Sequence, residues 1–165
     1  MKTIFAIFIF CSVVASYGND TISLTYERSM RISQHTIEII IARNNSGNVI
    51  LKMQTYAEKG HEKEGTLLEY KLRRELKPEI FEEIMKSIKL LNQNVDKSST
   101  FMLQDETAWK LELIAKDICE FQMEVLSPDY ITEKRRLTPF YELCCKIMKL
   151  GNVDPKEEIV KQGNR

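Results

Sequence analysis

Few side chains in this 165-residue chain are equipped to break bonds. The two histidines, His35 and His61, stand far apart, and His61-Glu62 lacks the second histidine one helical turn on that a zinc-protease helix requires. There is no Gly-x-Ser-x-Gly elbow and no glycine-rich phosphate loop. Glu112 and Glu120 could approach each other across a hairpin, but a carboxylate pair on an open sheet face lacks the dry cleft that tunes such acids. A calcium ion there would need further oxygen ligands. The expectation is therefore no metal, no cofactor and no catalytic set.

Groups suited to binding are easier to find. Asp105-Glu106-Thr107-Ala108-Trp109-Lys110-Leu111-Glu112-Leu113 and Cys119-Glu120-Phe121-Gln122-Met123-Glu124-Val125 both alternate apolar with polar residues, the mark of strands with one dry and one wet face. Trp109, Leu111 and Leu113 on the first strand, and Cys119, Phe121, Met123 and Val125 on the second, point inward on this reading. Lys110, Glu112, Glu120, Gln122 and Glu124 then form an outward strip suited to a basic partner. A two-residue turn would pair Leu113 with Glu120, core against charge. A three-residue loop, 115–117, pairs Leu113 with Cys119, Leu111 with Phe121 and Trp109 with Met123, and is the register expected. It sets Glu112 opposite Glu120, a like-charge contact worth roughly 0.2–1 kcal/mol of repulsion that a basic partner or solvent would relieve. Lys134-Arg135-Arg136 is the one compact basic cluster; Arg135 and Arg136 are candidates to grip an acidic partner or a phosphate, against the plainer reading of a solvated run.

The elements that position these groups follow from the same patterning. Residues 21–28, 33–43, 49–57 and 68–73 read as antiparallel strands. The run Asn44-Asn45-Ser46-Gly47-Asn48 supplies the turn between the second and third, and also contains one of two N-x-S/T sequons, the other being Asn19-Asp20-Thr21. Pro78 opens a helix whose apolar stripe is Ile80/Phe81, Ile84/Met85, Ile88 and Leu91. A polar loop spans 92–105. After the hairpin and an irregular link, 127–138, Pro139 opens a second helix with stripe Phe140, Leu143, Cys144 and Ile147, stopped by Gly151. The fold class is α+β: an antiparallel sheet of about six strands with two helices packed on one face.

The N-terminus addresses the compartment. Lys2, an apolar run over 4–15, and small residues at Ser16 and Gly18 form a secretory signal peptide, 1–18, with cleavage after Gly18 or Ser16. A single domain over 19–151 and a polar tail over 152–165 follow. The run is short for a membrane span, so no membrane insertion is expected after cleavage. Lys plus Arg equals Asp plus Glu at 24 each, which removes any bulk electrostatic case for nucleic acid. In an oxidising compartment Cys119 and Cys144, on facing strand and helix surfaces, are disulfide candidates with Cys145 left over; the alternative is three small buried thiols.

Trp109-Lys110-Leu111-Glu112, a hairpin return, Ser127-Pro128 and a short amphipathic helix together resemble a pattern in small exported bacterial proteins of uncharacterised function. The likeness covers the C-terminal third. Asp105-Glu106 stands where that pattern has an Asp-Gly turn, and Leu126 where an aromatic precedes Ser-Pro. The resemblance implies an exported α+β protein and carries no activity. The expectation is a periplasmic, non-enzymatic binding protein acting by protein–protein contact, of the immunity or enzyme-inhibitor type. The alternatives are a periplasmic hydrolase using Asp105 or His61 beside the 92–105 loop, and a structural envelope domain.

Overall fold

The computed structural model describes residues 20–28, 36–56, 70–98, 107–116, 118–154 and 159–160. Signal residues 1–18, His35, His61, Asp105 and Asp117 lie outside them, as does most of the 152–165 tail. Six strands form one antiparallel sheet: β1 (Asp20–Arg28), β2 (Thr36–Arg43), β3 (Val49–Tyr56), β4 (Lys71–Leu76), β5 (Thr107–Ala115) and β6 (Ile118–Leu126). Their spatial order is β4-β3-β2-β1-β5-β6. The first strand is thus central, joining the meander β2–β4 to the hairpin β5–β6. Two helices, α1 (Pro78–Lys89) and α2 (Thr138–Leu150), complete the α+β fold. Within the stretch expected as tail, β7 (Val153–Asp154) pairs with β8 (Ile159–Val160), and Val153 is buried.

Alternation builds the core. Inward residues such as Ile22 and Leu24 of β1, Ile39 of β2, Leu51 of β3 and Leu111 of β5 are no more than 2% exposed, while their chain neighbours face the other way. Asn44 sets the β2–β3 turn: its Oδ1 accepts from the backbone N–H of Ser46 (3.0 Å) and of Asn48 (2.9 Å), and Gly47 takes φ +83°.

Each helix buries one apolar stripe. Phe81, Ile84 and Ile88 of α1 are buried, and the Arg43 guanidinium lies 4.8 Å over the Phe81 ring while pairing with Asp20 and Glu82. The bond from Arg43 to the Asp20 carboxylate raises the guanidinium's pKa above its ordinary value. On α2, Phe140, Leu143, Cys144, Ile147 and Met148 are buried, and Tyr141 meets Trp109 at 5.5 Å between ring centroids. Gly151 ends α2 against Ile39, where an added Cβ would lie 2.8 Å from Ile39 Cδ1. Lys146 and Glu83 (2.5 Å) tie the helices together.

The hairpin register differs from the one expected. Trp109 pairs with Val125, Leu111 with Met123 and Leu113 with Phe121; the ladder then shifts, so that Ile114 pairs with Cys119 and Ala115 with Ile118. The ladder therefore closes at Ala115 and Ile118, leaving two residues between the strands in place of three, with Lys116 at φ +50°. The clash of Leu113 with Glu120 is avoided by a β-bulge: Glu120 is the extra residue, and its insertion returns Phe121 to the inward face. Deleting Glu120 should accordingly leave a regular hairpin and change stability by no more than about 1 kcal/mol. Deleting Gln122 would drive Glu120 inward and Phe121 outward and should cost at least about 3 kcal/mol. Urea unfolding of the two deletions tests this; equal costs would refute the bulge.

Candidate functional site

The bulge redistributes the outward strip. Glu112 stands opposite Gln122, not Glu120, and Lys110 opposite Glu124. Lys110 Nζ lies 3.0 Å from Glu112 Oε1, so the expected Glu112–Glu120 repulsion is replaced by an ion pair along β5. Glu120, Gln122 and Glu124 are exposed, and Glu112 is half-buried. These five residues share one surface, as the alternation required.

Arg135 does not join them. It is 7% exposed and donates to four backbone carbonyls: Nη1 to Ser127 (2.7 Å) and Tyr130 (3.1 Å), Nη2 to Leu126 (2.7 Å), Nε to Asp96 (3.2 Å). It fastens the 127–136 loop to the end of β6 and to the 96–98 segment, and is unavailable to an outside ligand. Only Lys134 and Arg136 of the basic cluster are exposed. The cause is invisible in the sequence run: loop curvature, with φ +40° at Ser127, +47° at Ile131 and +59° at Arg136, turns one cation of three inward.

The cysteines are likewise relocated. Cys119, Cys144 and Cys145 are all free thiols. The register that would have put Cys119 inward is not the one formed; Cys119 pairs with the outward Ile114 and is exposed, whereas Cys144 is fully buried on the apolar stripe of α2. Neither the Cys119–Cys144 disulfide nor the alternative of three buried thiols describes this arrangement. Burial raises the Cys144 thiol well above its ordinary pKa, and also raises the half-buried Cys145, so neither is primed as a nucleophile.

A shallow depression of about 510 Å³ lies between the loop and α2, bounded by Ile131, Lys134, Thr138 and Tyr141 with Glu133 and Glu142. Its charges are mixed and it assembles no acid–base or nucleophilic set. Among the described residues there is no group of three or more His, Cys, Asp or Glu positioned for a metal, and no helix long and apolar enough to cross a membrane.

The other half of the outward surface, on β3 and β4, is also charged. Register carries one row from Gln122 and Glu112 through Ser23 and Ile40 to Lys52 and Arg73. The next row runs from Glu124 and Lys110 through Thr25 and Glu38 to Gln54 and Lys71. Acids thus gather on β5–β6 and bases on β3–β4. The polar alternation of Val49–Tyr56 and Lys71–Leu76 carried that signal, but only the strand order places the two clusters at opposite sides of one surface. No protein-family model, curated protein or solved structure matches this chain.

Proposed function

We propose that this is an exported, non-enzymatic protein that works by protein–protein contact through the outward surface of its sheet. Export is supported by the basic start, apolar run and small residues of positions 1–18, and favours a periplasmic setting. Both helices cover the same side of the sheet on this reading, supported by the contacts of Phe81 with Arg43, of Tyr141 with Trp109 and of Gly151 with Ile39, all three sheet residues being of inward phase. The opposite side is then the contact surface.

The observation that carries the proposal is the charge ordering of that surface, with Lys110, Glu112, Glu120, Gln122 and Glu124 on two adjoining strands. Charge arranged this way steers association and selects partners by complementarity. Arg136 flanks the loop and sits apart from it.

Immobilised protein should retain a partner from an envelope extract at low salt and release it as salt rises. Glu112→Lys combined with Glu124→Lys should abolish retention while leaving the circular dichroism spectrum unchanged. Retention of the same proteins by both forms would overturn the proposal.

A further inference from the structure

We infer that the occupant of this surface is a second copy of the chain: two sheets pack face to face about a two-fold axis parallel to their strands. The inference rests on the reading above, that the outward surface makes protein contacts, and names the partner.

A two-fold interface must be complementary to itself, because each residue meets the image of another on the same surface. With the axis over the β1–β2 boundary, the middle of the order β4-β3-β2-β1-β5-β6, rotation lays β5 over β3 and β6 over β4 of the second copy. The registers then bring like levels together. Glu112 comes to Lys52 of the second copy, Glu124 to Lys71 and Gln122 to Arg73, each contact occurring twice. One level along, Ile114 meets Ile50 of the second copy, apolar on apolar. At the axis Thr25 faces Glu38 of the second copy, a hydroxyl donor against a carboxylate that already accepts from Tyr56 Oη at 3.0 Å. Glu75 falls at the rim, level with Cys119.

Geometry permits the match. Aligned sheets pack about 10 Å apart with strands crossing near −30°, close enough to parallel for this pairing to hold across the central strands. Six strands at about 4.8 Å spacing, four outward residues deep, present roughly 700 Å² per copy, near the standard size of a specific interface. An axis running across the strands would instead set acid on acid, since the β5–β6 half would then lie over itself.

Sedimentation of the mature protein at low salt should show a dimer that dissociates as salt rises. The acidic-half variant (Glu112→Lys, Glu124→Lys) and the basic-half variant (Lys52→Glu, Lys71→Glu) should each weaken self-association at least ~100-fold. Mixed one to one, the two variants should form a heterodimer, and a chain carrying all four changes should dimerise again. Recovery on mixing shows that both variants are folded. A wild type that is monomeric at every concentration overturns the inference, as does a dimer indifferent to the reversals or variants that fail to combine. A monomer that still retains a different, basic protein through Glu112 and Glu124 would overturn the second copy as occupant and leave the contact surface standing.

Discussion

Replacing Arg135 with methionine is expected to lower the unfolding free energy by about 3–5 kcal/mol, the largest effect of any single polar substitution. Methionine keeps the length of the stem and removes every donor. Four carbonyls, those of Asp96, Leu126, Ser127 and Tyr130, then lose a charge-assisted bond at once. Among the described residues no carboxylate forms an ion pair with this cation, though its charge helps to lower the pKa of Asp96; the guanidinium is solvated by carbonyl dipoles, which the planar fork can reach in four directions. The same bonds hold a loop with three left-handed residues, one of them the β-branched Ile131, each costing on the order of 1–3 kcal/mol. Arg135→Lys should recover little, because an ammonium cannot span the four acceptors. Urea unfolding with an unchanged m-value checks the figure, and a loss below about 1 kcal/mol would mean that water replaces the guanidinium.

Trp109→Ala should cost about 3–5 kcal/mol, a large share of the 5–15 kcal/mol that such a domain has. Trp109 is fully buried, edge-on to Tyr26 at 5.7 Å and 78°, tilted against Tyr141 at 5.5 Å, and donates from Nε1 to Thr107 Oγ1 at 3.2 Å. Removing the indole opens a cavity where β1, β5 and α2 meet, and strands the Thr107 hydroxyl. Trp109→Phe separates the terms: the ring contacts survive and only the hydrogen bond goes, for about 1–2 kcal/mol. Thermal and urea unfolding followed by circular dichroism give both values. Equal costs for alanine and phenylalanine would show that the hydrogen bond, not the volume, anchors the residue.

Local patterning made much of the architecture legible. Ile37, Ile39 and Ile41 recur at every second position, as a strand with one buried face requires, and they are buried while Ile40 between them is only half-buried. Pro78 opens α1, and the stripe Phe140, Leu143, Cys144, Ile147 is the buried side of α2. Glu112, Gln122 and Glu124 were placed on the outward surface for the same reason. The hairpin register was not legible, since a bulge and a longer loop both restore the inward phase of Phe121, and the sequence holds no term that separates them. Cys119 followed that register, and was misplaced with it. Arg135 failed differently: a run of three cations looks uniformly solvated until the loop's left-handed turns aim one of them at four carbonyls.

The sequence by itself determined the dry and wet faces of most strands and of both helices, because alternation at periods of 2 and 3.6 is a local property of the backbone. It determined the helix starts, the Asn44–Asn48 turn chemistry and the core role of Trp109 for the same reason. Only the tertiary structure decided that β1 lies between β2 and β5, where the extra residue of β6 is absorbed, and which arginine is buried. Those outcomes depend on contacts between residues remote in the chain, whose free energies arise only once the sheet has closed. The division of the outward surface into an acidic and a basic half is of that second kind.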